Sequence, residues 1–155
     1  MSALDALAAA SASGVAVTLD GDGLILEAPK LPPDVVALLK SVKPDLLRVL
    51  GAREAAQAAL AAEPPPDCSE SHWKFARRGL ERFIAEGWGD QATLLGWTSD
   101  ELYRLPPLWS RIDLTGAAWL VGSRRVAAVT ADNITIESRS GVRLQFRRIG
   151  REHLA

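Results

Sequence analysis

Residues 14–50 read GVAVTLDGDGLILEAPKLPPDVVALLKSVKPDLLRVL. Val15, Val17 and Leu19 alternate with smaller or polar residues, which is the period of a half-buried strand. Leu24 and Leu26 continue that alternation beyond Asp20-Gly21-Asp22-Gly23. Two such runs joined by a Gly/Asp turn predict a β-hairpin, because glycine supplies the positive φ that tight turns need. Pro29 stops the second strand. Pro32-Pro33-Asp34 then opens a helix, since proline is tolerated in the first turn and the helix dipole favours an acid there. Val35, Leu38, Leu39 and Val42 form its apolar stripe. Pro44 forces a new start, and Leu46, Leu47 and Leu50 form the next stripe. Upstream, Leu4, Leu7 and Ala8 at helical spacing predict a short first helix ending near Gly14. Downstream, the alanine-rich residues 52–62 extend the last helix. The predicted order is α-β-β-α-α.

The Asp-Gly-Asp-Gly run is read as a turn and not as a calcium loop. An EF-hand loop needs further oxygen ligands at fixed positions and a closing glutamate. Here the chain passes straight into Leu24-Ile25-Leu26. No metal and no cofactor is expected.

The same residues carry a resemblance. Gly14 and Val15, Gly21-Asp22-Gly23-Leu24, Ala28-Pro29-Lys30, Pro33, Leu38, Lys43, Leu46-Leu47 and Leu50 are similar to the N-terminal docking domain of the TubC family. Those domains stand at the start of bacterial non-ribosomal peptide and polyketide assembly-line proteins and recognise short tails of partner proteins. The loop after Lys30 departs from the family in lacking the small residues, often including a glycine, that usually follow this lysine. No condensation or adenylation domain follows within these residues. The resemblance covers residues 1–62 and implies a partner tail added as a strand at the hairpin edge, with nearby charges setting specificity. Carried over, the partner-binding residues are Leu24, Ile25, Leu26, Glu27 and Ala28, with Lys30 as a charged selector. Unpaired backbone groups at a strand edge accept such a tail, and alternate side chains read it. The competing reading makes Leu24 and Leu26 plain core and Lys30 a solvated charge. The partner class is the C-terminal tail or short linear motif of another protein. The family commonly forms homodimers, and a unit of about 60 residues buries a limited core and gains from pairing. The flat surface of residues 52–62 is the candidate dimer face; it serves equally to pack on the remainder of the chain.

Composition bounds the rest. The 155 residues are 48% hydrophobic, as in ordinary globular proteins. The Ala/Ser-rich start lacks a basic leader and carries Asp5, so it is not read as a signal peptide. No run is long and apolar enough to span a bilayer. A single cysteine, Cys68, rules out a disulfide within one chain and fits a cytoplasmic location. Net charge is −1 but unevenly spread. Residues 1–68 hold five Lys/Arg against nine Asp/Glu, a net −4; residues 69–155 hold thirteen against ten, a net +3. All five tryptophans, Trp73, Trp88, Trp97, Trp109 and Trp119, lie in the second part. Glu63-Pro64-Pro65-Pro66-Asp67 separates the two, and a proline triplet cannot continue a helix. The domains are therefore expected at 1–62 and 70–155, with a linker at 63–69.

In the second part, residues 70–86 predict a helix with Trp73, Ala76, Leu80, Phe83 and Ile84 on one face. Lys74, Arg77, Arg78, Glu81 and Arg82 lie mostly on the other, which reads first as a solvated face. Residues 89–105, GDQATLLGWTSDELYRL, resemble a helix-turn-helix. Ala92, Gly96 and Leu102 match its packing positions, and Thr98 with Glu101 forms a capping box for its second helix. Asp100 and Glu101 stand where a recognition helix would meet phosphates, which argues for a plain helical hairpin. Pro106-Pro107 limits that helix to about two turns.

The last third predicts a short helix capped by Asp113. A three-stranded antiparallel meander follows at 125–130, 133–137 and 142–148. The tryptophan-rich helices are expected to cover its apolar face. Arg139, Arg143, Arg147 and Arg148 make the outer face a candidate nucleic-acid surface, against a solvated face as the alternative. Nothing resembles a phosphate loop, a nucleophile elbow or a dinucleotide fingerprint. Cys68 and His72 are four residues apart, but two ligands do not make a stable zinc site. The expectation is an α+β, non-enzymatic docking or adaptor protein. The alternative is a small nucleic-acid-associated protein of a phage or mobile element.

Overall fold

A computed structural model describes residues 2–66, 68–105, 116–122 and 124–148. The architecture is α+β, with a two-stranded and a three-stranded antiparallel sheet. The chain separates into two compact units, Met1–Arg53 and Glu54–Ala155. That division lies inside a helix, ahead of the proline triplet at which the sequence reading puts the boundary. Prolines report where a helix stops, not where contacts divide.

The first unit has the order α-β-β-α-α. Helix α1 (Ala3–Ala12) starts from a capping box: the Ser2 hydroxyl accepts from the Asp5 N–H, and the Asp5 carboxylate accepts from the Ser2 N–H. Its fully buried residues are Ala3, Ala6 and Ala10, while Leu4 and Leu7 are half-buried. The stripe is thus turned relative to the leucine-based reading, because a methyl-only face lets α1 lie close to the helix that follows the hairpin. Strands β1 (Ala16–Asp20) and β2 (Gly23–Glu27) pair antiparallel, with Val17 opposite Leu26, Thr18 opposite Ile25 and Leu19 opposite Leu24. Gly21 at φ +56° begins the two-residue turn, and among the described residues no non-glycine has a positive φ, which matches a type II′ turn. Helix α2 (Pro33–Ser41) buries Val35 and Leu39 and packs against α1. Helix α3 (Lys43–Ala61) carries Pro44 in its first turn and buries Leu46, Val49 and Ala52; Leu47 and Leu50 are half-buried.

The second unit is built on α4 (Glu70–Ala85), whose N-cap Ser69 accepts from the His72 N–H. It buries Trp73, Ala76, Gly79, Leu80 and Phe83. Two short helices follow, α5 (Trp88–Leu94) and α6 (Ser99–Tyr103). A 3-10 turn at Ala117–Leu120 packs on α4 and α6. There Trp119 stacks on Trp73 at 5.1 Å, and its indole N–H donates to the Tyr103 carbonyl at 2.9 Å. A methyl group on Gly79 would sit 2.3 Å from the Gly122 backbone nitrogen, so glycine lets α4 approach that segment. Asp113 and Trp109 lie outside the described residues.

The meander is β3 (Arg125–Val129), β4 (Asn133–Glu137) and β5 (Arg143–Arg147), in that order. Its apolar face buries Val126, Ile134, Ile136 and Phe146. Leu144 on the same face is 43% exposed, and Val142 just ahead of β5 is 58% exposed, so the cover stops short of that corner. Trp97 anchors the other end, donating from its indole N–H to the Thr130 carbonyl at 2.8 Å. Among the described residues, no helix is long and apolar enough to cross a membrane.

Candidate functional site

The strand edges of the two sheets differ in how they are protected. An unpaired edge presents free N–H and C=O groups, and proteins blunt such edges with bulges, charges or neighbouring elements. The edge of β3 carries a bulge between Val126 and Ala128. The edge strand β5 begins and ends with Arg143 and Arg147. Strand β1 lies beside α1, and the chain leading into it is tied to that helix by the Val15 N–H donating to the Ala10 carbonyl at 2.9 Å. Strand β2 has no bulge, and its one charge, Glu27, stands at its end. Its register with β1 is unbroken from Gly23 to Glu27, no described strand pairs on its other side, and its centre reads Leu-Ile-Leu.

The register shows which backbone groups face outward. The two-residue turn closes on the Asp20–Gly23 pair, and antiparallel pairs alternate between bonded and non-bonded. Thr18–Ile25 and Ala16–Glu27 are therefore bonded pairs, whereas Leu19–Leu24 and Val17–Leu26 are not. The N–H and C=O groups of Leu24 and Leu26 point to the open edge, while those of Ile25 and Glu27 are directed at β1. The side chains divide the other way. Leu24 and Leu26 are half-buried together with Val17 and Leu19, and Ile25 (40% exposed) and Glu27 face solvent. Ala28 is half-buried directly after the strand, and Lys30 is exposed in the bend that follows. Of the six residues carried over from the family resemblance, Leu24, Ile25, Leu26 and Glu27 lie in β2, and Ala28 and Lys30 follow it. Leu24 and Leu26 turn backbone groups outward, and the side chains of Ile25, Glu27 and Lys30 are exposed. Of the proposed dimer face, Ala52 and Ala56 are already buried.

The arginines of the second unit are less available than their spacing suggests. Arg148 donates from Nε and Nη2 to the two carboxylate oxygens of Glu101, at 2.7 Å each. Its Nη1 donates to the Ala131 carbonyl at 3.1 Å, and its guanidinium lies 5.2 Å from the centre of the Trp97 ring. Only 13% of the side chain is exposed. Arg143 and Arg125 bracket Glu137 across the three strands at 3.4 and 3.6 Å. Arg147 faces the same side, opposite Asn133. Arg139 is exposed in the turn between β4 and β5.

The hairpin α5–α6 keeps the expected packing at two of its three positions. Ala92 and Leu102 are fully buried. Gly96 is exposed, with φ +104°, and among the described residues only Arg148 is within van der Waals reach of a methyl group there. It serves the backbone conformation of the turn and not a close helix–helix approach. The capping box of α6 is present: Thr98 Oγ1 accepts from the Glu101 N–H, and Glu101 Oε1 accepts from the Thr98 N–H. Burial pushes the Glu101 carboxyl up, but the hydrogen bonds from Arg148 and Thr98 outweigh it and hold the group below the usual carboxylate range. Pro106 and Pro107 lie outside the described residues. Among the described residues, no three His, Cys, Asp or Glu side chains come together as a metal site. Protein-family models, curated proteins and solved structures give no match to this chain.

Proposed function

We propose that the protein is a docking or adaptor protein that binds the tail of a partner by adding it as a strand along β2. The observation that supports this reading is the open, unbulged, apolar edge of β2, set against the protected edges of the other strands. Strand addition draws its affinity from main-chain hydrogen bonds and its specificity from alternate side chains. The tail's N–H and C=O groups meet those of Leu24 and Leu26. Its side chains lie beside Ile25 and Glu27 on the solvent face. Lys30, just past the strand, selects a tail with an acidic residue at the matching position. The similarity of residues 1–62 to TubC docking domains points the same way.

A display library of C-terminal tails, panned against the full chain, tests the selector. Wild-type protein should enrich tails with an acidic residue near one end. Lys30→Glu should shift that enrichment to basic residues. Identical enrichment by the two proteins would remove Lys30 from the account.

A further inference from the structure

A concentration of charge lies in the second unit. Arg82 of α4, Arg125 at the start of β3, Glu137 and Ser138 at the end of β4, and Arg139 of the following turn line one cleft of about 440 Å³. The register brings them together: Arg125 is opposite Glu137, and Ser138 and Arg139 continue from it. Arg82 reaches the same end from the helix, donating to the carbonyls of Gly122 and Arg124 at 3.3 and 3.5 Å.

We propose that this cleft binds the phosphoryl group of a small phosphorylated molecule. Among the described residues, its lining carries three guanidinium groups against one carboxylate. That carboxylate is only 18% exposed and is already shared between Arg125 and Arg143. An incoming anion therefore meets guanidinium groups and not a free acid. Guanidinium is planar and presents its N–H groups in a fork that matches phosphate oxygens two at a time. Arg82 is held in place by two backbone carbonyls, which lowers the entropy cost of ordering it on a ligand. Arg139 makes no ion pair among the described residues and is free to close over the cleft. The cleft exceeds the size of a lone phosphate and falls in the range of about 300–1,000 Å³ typical of small-molecule pockets. A phosphomonoester fits better than a nucleic-acid backbone, because the arginines line one cleft from three elements and do not run along one strand or helix. This inference is independent of the docking reading, which concerns the other unit.

The test is a titration of the full-length chain with inorganic phosphate at constant ionic strength, read from the side-chain Nε–H signals of its arginines. The expected result is a saturable shift confined to Arg82, Arg125 and Arg139. Arg139→Ala should weaken binding about tenfold, the loss of one charge-assisted hydrogen bond. It should leave the unfolding midpoint in place, because the side chain is exposed on a turn. Arg125→Ala, with its thermal unfolding followed in parallel, should weaken binding similarly. Shifts that do not saturate, or that extend equally to Arg48 and Arg147, would overturn the proposal. So would unchanged affinity in Arg139→Ala. A single-stranded oligonucleotide that displaces phosphate at lower concentration than a phosphomonoester would overturn it too, by making the cleft a reader of phosphodiesters.

Discussion

Arg148 closes both of its parallel N–H groups onto the carboxylate of Glu101, 47 residues earlier in the chain. The same carboxylate caps α6 through the Thr98 N–H. One acid thus starts a helix and holds the end of the meander to it. Both partners lie in segments whose sequence offers nucleic-acid binding only as the lesser reading, beside a plain helical hairpin and a solvated basic face. In the fold they satisfy each other.

That pairing sets a pH dependence. Glu101 has a folded-state pKa below its ordinary value. A depressed carboxylate contributes stability that is fully present above its unfolded pKa, about 4.3, and is lost as pH falls through the folded value. Chemical denaturation of the wild type should show this loss below about pH 4.3. Arg148→Met should lower stability by about 1–3 kcal/mol at pH 7 and flatten the acid slope. An unchanged slope in that variant would mean that other carboxylates set the acid response.

The approach of Gly79 to Gly122 predicts a large effect from a small change. A methyl group at residue 79 meets backbone, which cannot rotate away. Gly79→Ala should destabilise by about 1–3 kcal/mol, although alanine ordinarily favours a helix by about 1 kcal/mol over glycine. Thermal unfolding checks the sign: a raised midpoint would show that the segment shifts without strain.

The engaged arginines also predict how the chain behaves toward DNA. Phosphate contacts make affinity fall steeply with salt, by close to one power of salt concentration per contact. With Arg148 locked on Glu101 and Arg143 shared with Glu137, the Arg143→Ala/Arg147→Ala double variant should leave weak DNA binding and its salt dependence nearly unchanged. Salt-titrated fluorescence anisotropy with duplex and single-stranded DNA reads this directly. Tight binding whose salt slope flattens in the double variant would favour the nucleic-acid reading over docking.

Local chemistry made much of this fold legible. The Val-x-Val-x-Leu and Leu-x-Leu runs around Gly21 read as the hairpin that β1 and β2 form. Pro33 and Thr98 marked helix starts, and the alternation at Ile134 and Ile136 read as the central strand of the meander. What escaped depends on partners distant in sequence. Whether Leu4 or Ala6 faces inward is decided by how closely α2 approaches, and nothing in residues 3–12 encodes that distance. The exposure of Leu144 reflects a cover that ends early, although its alternation matches that of buried Phe146. The Glu101–Arg148 pair and the Arg82 cleft join residues about 40 or more positions apart, where spacing carries no signal. At β2 the candidate residues could be named from sequence. Which of them turn backbone groups outward and which turn side chains outward needed the register.

The central claim, strand addition at β2, is tested most directly by amide hydrogen exchange with a bound tail peptide. With a peptide selected from the C-terminal display library, the account predicts that the Leu24 and Leu26 amides gain protection. Ile25, already bonded to Thr18, should change little. Leu26→Pro removes an outward N–H, which an edge strand tolerates, along with the half-buried leucine side chain; it should weaken binding at least about tenfold while the hairpin stays paired, as hydrogen exchange of the Ile25 amide reports. Undiminished binding in Leu26→Pro, or new protection appearing on β5 in place of β2, would contradict the account.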